Sequence, residues 1–361
     1  MIPKPERTMA RHEIIKTSLR KRDDDLGVSE VLGVIMMLAM VLSIMGGIWI
    51  FLNPYISDFE DNTNWNSANG IADRIEDRVA VVGDAPEGTG ARQNVALKTS
   101  ILQGVSNIEQ WEFSADLTPT DVISITTVNS SKFIIKAQNR TAAKVVIETT
   151  SESYTESFSA NAEDVEIEHN LSLGEYYEIT VFDETDTPIH KKLYYSISGM
   201  RIITSLGNGE HEIYLVNNAR IEHFADSAWE ISKFPKLEFD ELASGELRLS
   251  IVLTNIIVNG SLGTSNHVGL EFISVGALNP YRSLCYNIQF TVSNSVSTVV
   301  NPQYDEAWLN PYVMNRASGT LDEFIGLAPF ERASGADGIT VKSNGSPIQF
   351  DVSIQQVEVK K

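Results

Sequence analysis

Six histidines (His12, His169, His190, His211, His223 and His267), one cysteine (Cys285) and 48 Asp or Glu residues could do acid–base, nucleophilic or metal chemistry in this 361-residue chain. Their spacing argues against all three. The histidines stand singly, and no His-x-His or His-Glu-x-x-His pattern brings two imidazoles together as zinc requires. A thiolate nucleophile needs a base beside it, and no histidine neighbours Cys285 in sequence. Cys285 therefore reads as a small apolar residue in or beside a strand, and alone it can form no internal disulfide. No Gly-x-Ser-x-Gly elbow occurs. The carboxylates of DVEIEH, DETD and DEL lie at turns or alternate along strands, where a solvated face is expected. DETD (Asp183 to Asp186) lacks the spaced oxygen ligands of a calcium loop. Gly88 and Gly90 form a G-x-G with no phosphate-loop lysine and no βα pattern. No catalytic residue, metal ligand or cofactor is assigned, and no enzymatic activity is expected.

Chemistry done to the chain is better represented. Five N-x-S/T triplets begin at Asn129, Asn139, Asn170, Asn259 and Asn344, and outside a membrane each is an N-glycosylation acceptor. Asn344 is the poorest of them, because Pro347 follows its triplet.

The second such place lies near the N-terminus, in RKRDDDLGVSEVLGVIMMLAMVL (Arg20 to Leu42). From Val31 to Leu52 run 22 residues without a formal charge, enough for a membrane-spanning helix. Lys4, Arg7, Arg11, Lys16, Arg20, Lys21 and Arg22 precede it, whereas Asn53 to Asp73 contains no Lys or Arg. That asymmetry places the N-terminus in the cytoplasm and the rest outside. The apolar run is too long for the core of a cleaved secretory signal and ends in IWIFLNPY without a small-x-small site. Ala39, Ser43 and Gly47 recur at every fourth position, a small-residue stripe that lets helices approach closely.

Basic residues, then Gly27, Val28-Ser29-Glu30-Val31-Leu32-Gly33 and the apolar run, resemble the N-terminus of archaeal type IV pilin-like proteins. The resemblance covers residues 20–52. It implies a class III signal peptide, cut before the hydrophobic helix by a membrane prepilin peptidase, with Gly27–Val28 as the scissile bond. The mature chain would begin VSEVLGVIMM and keep its helix for packing with other pilin-like subunits. Glu30 would then be its third residue, where bacterial pilins carry the acid fifth, and its implied partner is the N-terminal amine of a neighbour. A plain signal anchor is the other reading of the same segment.

Beyond Pro54, Ala68, Ile71, Ala72, Ile75 and Val79 recur at helical spacing between charged residues, predicting an amphipathic helix. The Asn-rich stretch from Asp61 to Gly70 favours either one interrupted helix or two. From Val95 onward, short alternating or β-branched runs such as VISITTV, AKVVIETT, HEIYLVN and PIQFDVSIQQVEV dominate. The expected fold is mainly β with a long N-terminal helix: one transmembrane helix and stalk, then one or two antiparallel β-sandwiches. The corresponding divisions are a leader at 1–27, a transmembrane or filament-core helix at 28–53, a stalk at 54–80, a linker at 81–94 and a β-rich body at 95–361. An inserted immunoglobulin- or fibronectin-like sandwich is expected at 120–198.

The net charge of -20 argues against a nucleic-acid partner. Residues 1–27 hold seven Lys/Arg and five Asp/Glu of the chain's 28 and 48, leaving 21 against 43, or -22, for the remainder. The expected function is that of a pilin-like cell-surface protein serving filament assembly or adhesion, with membrane lipid, the peptidase and neighbouring subunits as partners. The alternative is a monomeric, signal-anchored extracellular binding protein with an uncleaved N-terminus.

Overall fold

The computed structural model describes residues 9–119, 122–129, 132–138, 142–158, 164–169, 176–224, 227, 230–233, 236–244, 246–263, 266–294, 330–335, 338–343 and 346–361. One helix, α1 (Met9–Gly83), occupies the N-terminal part. It continues through Pro54, although the ring removes one intrahelical N–H donor, and through the Asn-rich stretch. The chain divides into two compact units, Met1–Thr63 and Asn64–Lys361.

The described remainder is mainly strand. After α1 come β1 (Gly90–Ala96), β2 (Ser100–Asp116), β3 (Val122–Asn129), β4 (Lys132–Gln138), β5 (Lys144–Thr149) and β6 (Ser153–Ser157). They are followed by β7 (Asp164–Glu168), β8 (Tyr177–Phe182), β9 (Pro188–Leu206), β10 (Gly209–Val216), β11 (Ala219–His223) and β12 (Glu230–Lys233). The last are β13 (Lys236–Glu241), β14 (Leu247–Val258), β15 (His267–Asn294), β16 (Phe330–Gly335), β17 (Gly338–Ser343) and β18 (Ile348–Lys360). Of the residues read as a linker, Val81–Gly83 close the helix and Gly90–Asn94 belong to β1, which pairs along β15.

The main sheet runs β12-β11-β10-β9-β2-β15-β18-β14-β13, with β1 and β17 also on β15 and β8 on β9. Strand β15 joins its two halves. Residues Glu271 to Cys285 pair with β18, and Tyr286 to Asn294 pair with β2. Its register shifts at Ser274/Gly276, Leu278/Tyr281 and Tyr286/Gln289 are bulges, which bend a strand and raise its twist. Gly276 (φ 103°) and Asn287 (φ 36°) supply the left-handed backbone at two of them. The β14–β18 pair is parallel, unlike the antiparallel β15–β18 pair beside it.

Bent in this way, the sheet folds over itself. Asn255 of β14 accepts a hydrogen bond from the Ser198 N–H of β9 and donates to the Tyr195 hydroxyl, at 2.8 and 2.9 Å. Gly104 of β2 lies at this crossing, where an added Cβ would stand 2.5 Å from Val258. Between the layers lies a core of Trp111, Phe113, Tyr281, Phe290, Phe350 and neighbouring aliphatic residues.

A second core is capped by the C-terminal part of α1. Ala68, Ile71, Ala72, Ile75, Val79 and Val82 are buried against Leu102, Met200, Ile202, Leu215, Ile256 and Phe272. The helical period of the sequence thus marks the face that excludes water. A third core forms where β3-β4-β7, a separate three-stranded sheet, contributes Ile125, Ile135 and Ile167 against Val145, Ile147, Ile179, Val181 and Tyr194. Lys192 ties these layers by donating to the Ile125 carbonyl at 3.0 Å.

Candidate functional site

The first candidate is the exposed apolar segment of α1. Every side chain from Ser29 to Ile56 is exposed, and Ile50, Met37 and Trp49 are exposed by 75%, 69% and 67%. A helical window here has a mean hydropathy of 2.5 with none of it buried. This single N-terminal helix is therefore long and apolar enough to span a membrane. Leaving such a surface in water costs roughly 25 cal/mol per Å² of apolar area.

Gly27 and Val28 both lie within α1. Glu30 is exposed immediately before the apolar run. Ala39, Ser43 and Gly47 are exposed too, and the Ser43 hydroxyl donates to the Ala39 carbonyl at 2.8 Å. That bond satisfies the hydroxyl within its own helix. At Gly33, Gly46 and Gly47 an added Cβ would meet nothing within 4 Å.

Among the sequons, Asn259 sits in an exposed turn after β14, where Gly260 takes φ 82°. Its amide donates to Glu358 at 2.5 Å. Asn129 is the last residue of β3, while Asn139, Asn170 and Asn344 lie outside the described residues.

In the body, several polar groups come together that no local sequence pattern announces. Ser114 and Asp116 alternate on β2, and His190 of β9 pairs opposite Asp116. His190 Nδ1 lies 2.7 Å from Asp116 Oδ1, and Nε2 lies 3.1 Å from the Ser114 hydroxyl. Asn287, at the bulge of β15, donates to the second Asp116 oxygen at 2.8 Å. The connectivity is that of a Ser-His-Asp relay. His190 and Asp116 are only 2% exposed, so the same bonds also complete a buried polar group, which is costly when left unmet. We read this cluster as a brace between β2, β9 and β15.

Other titratable groups are set by burial. Glu109 is buried beneath Trp111 Nε1 and Asn217 Nδ2, which donate at 2.9 and 3.3 Å. Desolvation nevertheless pushes its carboxyl up to about 7. His211 is fully buried, neither ring nitrogen has a hydrogen-bond partner, and burial drives it down to about 3. It packs with Trp65 of α1 and stacks on Phe224, which keeps the neutral ring in place. Burial also raises the Cys285 thiol to about 11, leaving little thiolate for nucleophilic chemistry.

The DETD acids are engaged in a turn. Asp183 Oδ1 accepts from the Thr185 and Thr187 N–H groups at 2.8 and 3.0 Å, while Asp186 pairs with Lys144. Among the described residues no three His, Cys, Asp or Glu side chains group as a metal site.

A polar recess on the outer face of β14, β18 and β15 is the remaining candidate. Arg248, Ser250, Gln349, Asp351, Ser353, Asn279 and Arg282 are among its lining residues. Strand alternation explains the grouping: Ser250 lies beside Asp351, and Asp351 lies opposite Arg282. Comparison with protein-family models, with curated proteins and with solved structures found no match.

Proposed function

We propose that this is a pilin-like cell-surface protein, whose N-terminal helix holds it in the membrane or in a filament core while an acidic β-rich body faces outward. The observation that carries this reading is the unbroken exposure of an apolar helix from Ser29 to Ile56. Such a surface needs lipid or the apolar helices of other subunits around it. Support for the orientation comes from the seven cations before the helix and their absence from Asn53 to Asp73. Support for the pilin route comes from Gly27-Val28-Ser29-Glu30 standing between the basic segment and the apolar run.

In this reading the leader is removed at Gly27–Val28 and the helix is retained. Glu30 then lies at the start of the mature helix, where a carboxylate is favoured by the helix dipole and can meet a neighbour's amine. Ala39, Ser43 and Gly47 form the side on which another helix approaches. The role is structural and adhesive, not catalytic.

Mass spectrometry of the membrane-associated protein tests it. The expected mature N-terminus is Val28, and Gly27→Phe should leave the leader attached. Retention of Met1 to Gly27 in the wild-type protein would instead establish the signal-anchored binding protein.

A further inference from the structure

We infer that the recess on the outer face of β14, β18 and β15 is a binding site for a carboxylate-bearing sugar. This goes beyond the anchoring role of α1 and depends on none of its residues. The recess encloses about 530 Å³, within the range of small-molecule sites.

Its chemistry is organised around Asp351. One carboxylate oxygen accepts from Arg248 Nε at 2.7 Å, and the other accepts from Gln349 Nε2 at 2.8 Å. Both oxygens are thus occupied without Arg282, although Arg282 stands directly opposite Asp351 in the ladder. The exposed Arg282 guanidinium has no side-chain partner among the described residues, and the same holds for Ser250, Asn279 and Ser353. Arg248 is matched by Asp351, and on the same face of β13 Asp240 stands opposite Arg248 and Glu238 opposite Ser250, so the recess has no net positive charge. What its lining offers is the unengaged guanidinium of Arg282. A planar guanidinium with its fork open favours a carboxylate, which it can hold through two parallel bonds.

The remaining lining selects what carries that carboxylate. Ser250, Ser353 and Asn279 offer unengaged hydroxyl and amide groups at distances set by neighbouring strands, which suits a polyhydroxylated ring. A peptide strand would need free main-chain donors and acceptors. Here those groups are consumed in the β14–β18 and β15–β18 ladders except at the Asn279–Pro280 bulge, too short to pair an added strand, so a ligand meets mainly side chains. The register shift between Leu278 and Tyr281 belongs to the same design. It turns the backbone so that Asn279 and Arg282, three residues apart, both line the recess.

The test is isothermal titration of the full chain in zwitterionic detergent with D-glucuronate, D-glucose and acetate. Glucuronate should bind saturably, with glucose and acetate each at least about tenfold weaker, since each lacks one half of the recognition. Arg282→Ala should weaken glucuronate by about tenfold or more, because a charge-assisted bidentate pair is lost. Ser353→Ala should weaken it by a smaller factor. Arg282 is exposed, so an unchanged melting temperature is expected and separates lost binding from lost folding. No saturable glucuronate binding, unchanged binding in Arg282→Ala, or acetate binding as tightly as glucuronate would each overturn the proposal. The identity of the mature N-terminus does not enter this titration, so the two readings fail separately.

Discussion

Glu109 is an acid held where its charge is least welcome, and its two neutral donors do not offset the desolvation. In the unfolded chain the carboxyl ionises near its ordinary value, whereas in the fold it holds its proton up to about 7. The folded state therefore binds more protons between these values, and its contribution to stability is present at low pH and lost as pH rises through about 7. The shift corresponds to an order of 3 kcal/mol at alkaline pH. Glu109→Gln keeps an acceptor for Trp111 and Asn217 while removing the ionisation. It is expected to be more stable than the wild type at pH 8, with the difference shrinking toward pH 4.5 in chemical denaturation. A constant difference across that range would mean that Glu109 is not charged by unfolding. In the His190 cluster both ring nitrogens and both Asp116 oxygens meet a hydrogen-bond partner.

At the scale of elements, the docking of α1 residues 64–83 shows which interactions decide. Ile75 is fully buried in the core beneath the helix, with Ala68, Ala72 and Val79 on the same face. On the flank, Arg220 pairs with Asp73 and Glu76 at 2.8 Å, and Lys233 pairs with Glu76 at 3.0 Å. Asp73 is 64% exposed at its side chain, so its pair is screened and worth at most about 1 kcal/mol. Deleting a buried Ile side chain leaves a cavity and costs about 2–5 kcal/mol. Ile75→Ala should accordingly lower the unfolding free energy several-fold more than Asp73→Ala, as read by denaturant titration. Equal effects would place the ion pairs, not the apolar face, in control. This helix was legible in the sequence because its 3.6-residue period survives intact from Ala68 to Val79. The strands were legible as strands, yet their assembly was not. Bulges in β15 break the alternation that would reveal one 28-residue strand. The parallel β14–β18 pair and the contact of Asp116 with His190 join residues 101 and 74 positions apart, respectively, where no local pattern can signal the partner. The recess around Asp351 was missed for the same reason.

For the whole molecule, charge and burial pull in different directions. The residues after the basic leader carry 21 Lys/Arg against 43 Asp/Glu, so compact folding brings many like charges together. Self-repulsion of this kind destabilises the folded state and weakens as salt screens it. The Debye length falls from about 10 Å at 0.1 M salt to about 3 Å at 1 M. Salt also weakens the attractive pairs, but those on the α1 flank are few, and Arg248–Asp351 is partly exposed at 42% and 21%. The buried cores do not depend on screening. Repulsion among the excess carboxylates should therefore dominate the response, and the melting temperature of the full chain in neutral detergent should rise between 0.1 M and 1 M NaCl. Replacing several exposed acids by their amides should shrink that rise while raising stability at low salt. A melting temperature that falls with salt would mean that the ion pairs between elements outweigh the net charge, and that the acidic surface is locally compensated.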